Sequence, residues 1–231
     1  MRVLLGISVI FLFLSCEDKQ TSKQTNTLIV KDSVVTKTTP KKEITSEYPR
    51  LTDHNAMEFF LDYAKEHQEH KVRITTDFGI IDILLYDKTK FHRANFIYLT
   101  KREYFNGTQF YRVVKNFIIQ GGSSDDYNLA KRRQTIGKYL LPPDTKRGYT
   151  HKRGAISMPS SEIENAYKLA SPFQFFIIQR KGGADYLDKE YTVFGEVTTG
   201  MDVVDKIAEV KTDEGDWPLQ NVYIRTIEII E

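Results

Sequence analysis

The chain has 231 residues, of which 33 are lysine or arginine and 31 are aspartate or glutamate, so its formal net charge at pH 7 is +2. This near balance excludes the strongly basic composition of typical nucleic-acid-binding domains, and we expect no nucleic-acid partner. Aromatic residues make up 12% of the sequence, which is enough for a packed core, and the length suits one domain with attached segments.

The first sixteen residues have the composition of an export signal. Arg2 precedes an apolar run over residues 3–14, which is short for a bilayer span and typical of the apolar part of a signal peptide. The run leads to Cys16, the single cysteine of the chain, which has no partner for an intrachain disulfide. The segment resembles a bacterial lipoprotein signal, which implies a signal peptide over residues 1–15 and a lipid anchor on Cys16. An ordinary signal peptide with a coincidental cysteine is the alternative.

Residues 16–50 predict a disordered tether. They are rich in threonine, serine, lysine and glutamine and contain too few large apolar side chains to offset the entropy of ordering. With a lipidated Cys16, the protein would be exported and held on a bacterial membrane. We expect the outer membrane, with the folded part facing the periplasm or the cell surface.

Residues 51–70 predict a helical extension ahead of the main domain. Thr52 and Asp53 are suitable N-cap residues, and apolar residues then recur at helical spacing with charged residues on the opposite face. We therefore predict an amphipathic helix over residues 53–67.

Residues 71–231 predict seven or eight short strands and two helices that do not alternate regularly with them. The predicted strands cover residues 71–76, 80–86, 110–114, 117–120, 154–158, 173–178, 192–197 and 222–230, and the helices cover about 91–102 and 201–210. Residues 123–153 are polar and predict the least regular part of the domain. The pattern favours a mainly β fold, a closed antiparallel barrel with helices at its ends, over an alternating α/β fold.

Arg112 stands between apolar residues on one of the predicted strands. Phe110, Arg112 and Val114 have the same parity, so on a regular strand they would share a face. A guanidinium keeps its charge and is costly to bury without a partner. Arg112 is therefore either an edge-strand side chain that reaches water along its aliphatic stem, or a hydrogen-bond donor at the rim of an apolar pocket.

Nucleophilic and metal chemistry find no support in the sequence. Ser157 and His151 are close along the chain, yet neither lies in the Gly-x-Ser-x-Gly context of a nucleophilic serine. The glycine pairs at residues 121–122 and 182–183 read as isolated turns and not as phosphate loops. The recurring feature is instead a large apolar residue next to a single amide or cationic hydrogen-bond donor. Such residues suit the binding of an extended peptide.

Five motifs of this region resemble the cyclophilin-type peptidyl-prolyl isomerases. They are, in chain order, NF at residues 95–96, FYRVVKNFIIQGG at 110–122, GAISM at 154–158, QFFI at 174–177, and LD at 187–188 with VFG at 193–195. The resemblance covers residues 71–231 and implies an eight-stranded antiparallel barrel capped by two helices, with the active face outside the barrel. It implies cis-trans isomerisation of X-Pro bonds in proline-containing polypeptides, without a metal or cofactor, and we expect a monomer.

The same resemblance assigns roles to individual residues. Arg112 matches the catalytic arginine and Gln120 the glutamine that positions it. The implied substrate contacts are Phe117, Ile118, Phe176 and Leu187 as walls of a proline pocket, Gln174 on the substrate backbone, and Ser160, Tyr186 and Tyr191 at the rim.

Several of these positions depart from the family pattern. Ile118 stands where methionine is usual, and Tyr111 replaces the customary histidine beside the arginine. Ser160 replaces an asparagine that bonds the substrate backbone in many members, while Tyr186 and Tyr191 replace a tryptophan and a histidine. The resemblance therefore implies an intact pocket with an altered rim.

Three functions remain open at this point. The first is an isomerase that acts on exported proteins and assists their folding, and the second is a membrane-tethered proline-peptide binding or chaperone module with weak or no isomerase activity. The third, a purely structural surface lipoprotein, would not require a charged residue on an apolar strand face.

Overall fold

The computed structural model describes residues 48–160 and 165–230. The predicted signal peptide, Cys16 and the predicted tether up to residue 47 lie outside the described residues. Within the described ranges, no helix is both long enough and apolar enough to cross a membrane.

The described part of the chain contains ten strands and four α-helices. The strands are β1 (Leu51–Thr52), β2 (Lys71–Thr76), β3 (Gly79–Leu85), β4 (Gln109–Val114), β5 (Ile118–Ser123), β6 (Gly137–Lys138), β7 (Ala155–Ser157), β8 (Phe175–Ile178), β9 (Val193–Thr199) and β10 (Ile224–Ile229). The helices are α1 (Ala56–Glu66), α2 (Lys90–Lys101), α3 (Tyr127–Ile136) and α4 (Met201–Ala208).

Eight of the strands form one antiparallel sheet in the order β10-β2-β3-β9-β7-β8-β5-β4. Its two end strands meet, because Gln109 bridges to Tyr223 and the Phe110 amide donates to the Val222 carbonyl at 2.9 Å. The sheet is thus a nearly closed barrel. The predicted mainly β fold with an eight-stranded antiparallel barrel is confirmed.

The barrel strands have apolar residues on both faces. On β5 and β8, Ile119 and Ile177 belong to the main core, whereas their neighbours Ile118 and Phe176 belong to a second apolar cluster. Successive side chains of a strand point to opposite faces of the sheet, so the second cluster lies on the outer face of the barrel.

Two helices pack directly on the barrel, and the helix of the N-terminal extension packs on one of them. Helix α2 packs on β9 and β10, and α4 packs on β3, β4 and β5. Helix α1 packs on α2, and the Phe60 ring lies 5.7 Å from the ring of Tyr98 and 5.6 Å from that of Tyr139. Strand β1 pairs in parallel with β6, which joins the N-terminal segment to the loop region of the domain.

Two local features differ from the sequence prediction. The N-cap of α1 is Asn55, not Thr52 or Asp53, because Thr52 belongs to β1 and its amide donates to the Asn55 side chain at 2.7 Å. Residues 123–153, predicted to be irregular, contain α3, whose N-cap Asp126 accepts from the Asn128 amide at 2.8 Å.

Candidate active site

A β-bulge sets the direction of the Arg112 side chain. The register of β4 and β5 shifts because Phe110 pairs with Gly121 while Arg112 pairs with Gln120, which leaves Tyr111 as the extra residue. A bulge of this kind interrupts the alternation of faces. Phe110 therefore lies in the main core, whereas Arg112 shares the outer face with Val114, which packs against the second cluster. The predicted common face of Phe110 and Arg112 was wrong.

The residues expected to form a proline pocket come together on this outer face. We call the second apolar set the outer cluster; its buried members are Ile118, Ala155, Phe176, Ile178, Ala184 and Val193, and its partly buried members are Tyr86, Val114, Phe117, Tyr149, Leu187 and Tyr191. All four expected wall residues belong to it. They are contributed by the β4–β5 turn, β5, β8 and the chain before β9, segments that are distant in sequence.

Two tyrosines at the rim touch the walls of the outer cluster. The Tyr186 side chain is 62% exposed and stacks on Phe117 with ring centroids 6.1 Å apart. Tyr191 meets Phe176 edge to face at 5.9 Å. Ser160 pairs with Ala170 in an isolated bridge, next to residues 161–164, which lie outside the described residues.

A hydroxyl group joins the two glutamines expected at the site. Gln120 Nε2 donates to the Tyr111 hydroxyl, and that hydroxyl donates to Gln174 Oε1 at 2.9 Å. Tyr111 and Gln120 are both buried. Because Oε1 of Gln174 accepts this bond, its amide nitrogen keeps two N–H groups that can face a peptide carbonyl.

The charged partner of Arg112 is Asp216. Arg112 Nη2 lies 3.1 Å from Asp216 Oδ2, and the two side chains are 37% and 39% exposed. Gln120 faces Arg112 across the β4–β5 pair, but within residues 48–160 and 165–230 no hydrogen bond joins the two side chains. Positioning of Arg112 by Gln120 stays a prediction.

The buried side chain of His151 contacts Phe176 and Asp188, which belong to or adjoin the predicted walls of the proline pocket. His151 Nδ1 lies 2.7 Å from Asp188 Oδ1, which also accepts from the His151 amide at 2.7 Å. The ring stacks on Phe176 at 6.0 Å, and Nε2 lies 3.1 Å from Ser157 Oγ, which donates to the Thr192 carbonyl at 2.8 Å. Burial lowers the pKa of His151, although the Asp188 carboxylate opposes that shift. The neutral ring then donates from Nδ1 to Asp188.

This Ser–His–Asp arrangement is structural. Ser157 and His151 are both fully buried, so no substrate carbonyl can reach the serine oxygen. The network instead connects Phe176 to Asp188, which follows the wall residue Leu187, and to Thr192, which follows the rim residue Tyr191. Neither His151 nor Asp188 was predicted as part of the site. The short spacing of His151 and Ser157 was visible in the sequence, but their contact with Asp188 depends on the fold.

The assembled site combines an apolar surface with fixed hydrogen-bond donors. The outer cluster can hold a ring such as that of proline, and Arg112 and Gln174 can donate to the polar groups of a peptide beside it. No group of three or more histidine, cysteine or acidic side chains in the described part of the chain could hold a metal ion. The apolar surface and the hydrogen-bond donors beside it suit binding and reorientation of a peptide.

Comparison with known proteins gives a family match over most of the chain. Residues 71–229 match the family model described as "Cyclophilin type peptidyl-prolyl cis-trans isomerase/CLD". A peptidyl-prolyl cis-trans isomerase of Acinetobacter baylyi is 34% identical over 166 residues, covering 68% of this chain and 84% of its own length. The peptidyl-prolyl cis-trans isomerase-like 3 of Dictyostelium discoideum is 31% identical over 160 residues, covering 68% of this chain and 94% of its own length.

Some relatives are much longer, and the matching segment is only a part of them. The peptidyl-prolyl cis-trans isomerase-like 2 of Rhizopus delemar is 36% identical over 72% of this chain, which spans 30% of that relative. Among solved structures, a cyclophilin-type isomerase of Cryptosporidium parvum matches 71% of this chain with a TM-score of 0.59 and 24% identity. That structural likeness supports the barrel fold.

Proposed function

This chain belongs to the cyclophilin-type peptidyl-prolyl cis-trans isomerase family, and we propose that it isomerises X-Pro bonds of exported polypeptides and so assists their folding. The observation that carries the proposal is the convergence of Phe117, Ile118, Phe176 and Leu187 in the outer cluster, on the barrel face that also presents Arg112. Proline-containing polypeptides are the proposed substrates, and the proposed enzyme acts as a monomer.

The proposed mechanism uses no covalent step. Rotation about an X-Pro bond is slow because the nitrogen lone pair is delocalised into the carbonyl, which gives a barrier of about 18–20 kcal/mol. An acceleration of 10⁴ would require about 5.5 kcal/mol of stabilisation that the twisted amide receives and the planar amide does not. Holding the proline ring in the outer cluster lets the preceding part of the peptide turn against a fixed ring.

Arg112 would supply stabilisation that is specific to the twisted amide. When the amide twists, the lone pair returns to the proline nitrogen and can accept a hydrogen bond from the guanidinium. A hydrogen bond to a charged group contributes about 1.5–3 kcal/mol, so Arg112 accounts for only part of the required difference. The rest would come from selection of the twisted geometry in the pocket and from exclusion of water.

Measurement of the cis-to-trans conversion of a proline tetrapeptide by the purified full chain tests this proposal. We expect an enzyme-dependent rate that falls at least about tenfold in Arg112→Ala, the loss associated with one charge-assisted hydrogen bond. Arg73→Ala is the matched control, because Arg73 is 36% exposed and pairs with Asp82 on strands that do not contribute to the outer cluster. Its rate should equal that of the unmodified protein. If the unmodified protein does not accelerate the conversion, the isomerase proposal is wrong.

A binding or chaperone module is the second candidate. The observation that favours it is the rim, where the Tyr186 ring is 62% exposed and stacks on Phe117. Such a surface could hold an extended chain without using Arg112. Under this alternative, Arg112→Ala would suppress aggregation of an unfolded client as well as the unmodified protein does, and neither protein would accelerate proline isomerisation.

We propose separately that the protein is a membrane-anchored lipoprotein. In this organisation residues 1–15 are the signal peptide, residues 16–50 are the tether, residues 51–70 are the helical extension and residues 71–231 are the isomerase domain. The support is the apolar run before Cys16 and the polar composition after it.

Replacement of Cys16 tests the proposed lipid anchor. In cells that express the full chain, Cys16→Ser should move the protein from the membrane fraction to the soluble fraction, whereas Ser22→Ala in the tether should leave it in the membrane fraction. An unchanged membrane fraction for Cys16→Ser would contradict lipidation.

A further inference from the structure

A closed turn lies beside β4 and contacts the strand that carries Arg112. Thr212 bridges to Pro218, and the Asp213 amide donates to the Trp217 carbonyl at 2.9 Å. The Asp213 carboxylate accepts from the amides of Gly215 and Trp217, both at 2.9 Å. We call residues 212–218 the 212–218 turn. Its internal hydrogen bonds restrict its conformation.

The 212–218 turn holds three successive residues of β4. The Trp217 ring lies 5.6 Å from the ring of Tyr111, Asp216 Oδ2 lies 3.1 Å from Arg112 Nη2, and the Asp216 carbonyl accepts from the Val113 amide at 2.9 Å. Because the main chain of Asp216 is bonded to the residue next to Arg112, the backbone that carries the carboxylate is held beside the guanidinium.

The backbone of Asp216 adopts a conformation that most residues avoid. Its φ is +65°, in the left-handed region, which aspartate and asparagine tolerate better than other residues with a side chain. Backbone in such regions persists where the surroundings determine it, and it occurs preferentially at functional sites. Here the surroundings are the 212–218 turn and β4.

The chemistry of the pair allows Arg112 to act on a substrate while it stays bound to Asp216. A guanidinium has five N–H donors, and an ion pair through Nη2 leaves donors on the other nitrogens. A free arginine side chain samples many rotamers, and fixing it for catalysis costs entropy that a permanent carboxylate partner removes in advance. We propose that Asp216 is a positioning residue for Arg112, which it holds at the rim of the outer cluster for X-Pro isomerisation. This role rests on the proposed isomerase function.

The first test replaces the carboxylate while keeping a residue that tolerates the left-handed region. In the full chain, Asp216→Asn should lower kcat for a proline tetrapeptide about fivefold with KM unchanged, because the lost contact orders a group that acts in the transition state. Glu214→Gln is the matched control, since it removes the same charge from an exposed position of the same turn. It should leave kcat and KM unchanged. If Asp216→Asn does not fold, Asp216→Gly removes the carboxylate and also accepts the positive φ.

A double-mutant cycle distinguishes positioning of Arg112 from a general structural effect. In the Arg112→Ala background there is no guanidinium to position, so adding Asp216→Asn should change the remaining rate by less than about 1.5-fold. The same fivefold loss in both backgrounds, or an increase in kcat for Asp216→Asn alone, would overturn the positioning role while leaving the isomerase function in place. An unmodified protein without isomerase activity would overturn both.

Discussion

At the scale of single residues, Tyr111 links the two glutamines of the candidate site. Its hydroxyl accepts from Gln120 and donates to Gln174, and its ring contacts Trp217. The family motifs imply the two glutamines but not the link between them, because a histidine is usual at this position. The link also follows from the bulge at Tyr111, which strand periodicity alone does not predict.

Removal of the Tyr111 hydroxyl should weaken substrate binding. In Tyr111→Phe the buried Gln120 amide loses its acceptor, a change of about 1–3 kcal/mol for a buried polar group, and the partly buried Gln174 loses the bond that orients it. We expect KM for a proline tetrapeptide to rise severalfold and kcat to change less, because Gln174 is expected to contact the substrate backbone. Steady-state kinetics with Tyr127→Phe as control, a tyrosine that is 80% exposed on α3, checks this. An unchanged KM would show that the hydroxyl is not needed.

The partner of Arg112 could not be predicted from local sequence. The wall residues of the outer cluster lie within short sequence motifs. Asp216 reaches Arg112 only because the chain before β10 returns beside β4, and His151 reaches Asp188 only because β7 pairs with β9. For Arg112 itself, the structure supports a rim position on the outer face, since its guanidinium is ion-paired and its side chain is 37% exposed.

At the scale of elements, the barrel strands were predictable, whereas the loop region and the short strands β1 and β6 were not. Alternating or continuous apolar runs predict β2, β3, β8 and β10 within a few residues of their observed ends. Helix α3 was missed because only Leu129 and Ile136 of its residues are buried, which leaves almost no apolar periodicity. Strand β6 has two residues, and its pairing with β1 depends on a close approach of two backbones.

That close approach makes Gly137 critical for the N-terminal extension. A Cβ atom at Gly137 would overlap the Leu51 carbonyl oxygen, and the φ of +129° is unfavourable for other residues. Gly137→Ala should therefore lower the free energy of unfolding by at least about 2 kcal/mol more than Gly148→Ala. Gly148 also has a positive φ, +82°, but no atom lies near its Cβ position. Urea unfolding at pH 7 measures both variants, and equal losses would rule out the backbone contact as the cause.

At the scale of the whole molecule, a buried histidine couples folding stability to pH. His92 on α2 is fully buried, and in residues 48–160 and 165–230 neither ring nitrogen has a hydrogen-bond partner. Burial lowers the pKa of His92 to about 4, although the Asp144 carboxylate opposes that shift. In the unfolded chain a histidine titrates at about 6.5. Between these values the unfolded state binds more protons than the folded state, so stability falls as the pH decreases.

Measurement of unfolding at two pH values tests this coupling. The free energy of unfolding should be about 2 kcal/mol lower at pH 5 than at pH 7 through His92 alone, from the difference between its folded and unfolded pKa. His92→Leu removes the titrating group without breaking a side-chain hydrogen bond, so its decrease between pH 7 and pH 5 should be smaller by that amount. The same decrease in both proteins would assign the effect to other groups, such as His151, whose pKa burial also lowers.

The central claim is that one outer face of the barrel holds a proline and twists its peptide bond with the help of Arg112. The most direct test is the rate of exchange between the cis and trans forms of a proline tetrapeptide at equilibrium, measured by NMR with the full chain in catalytic amounts. We expect fast exchange with the unmodified protein and exchange at least about tenfold slower with Arg112→Ala, while the peptide still binds. Exchange as slow as in the peptide alone, or equal rates for the two proteins, would contradict the claim.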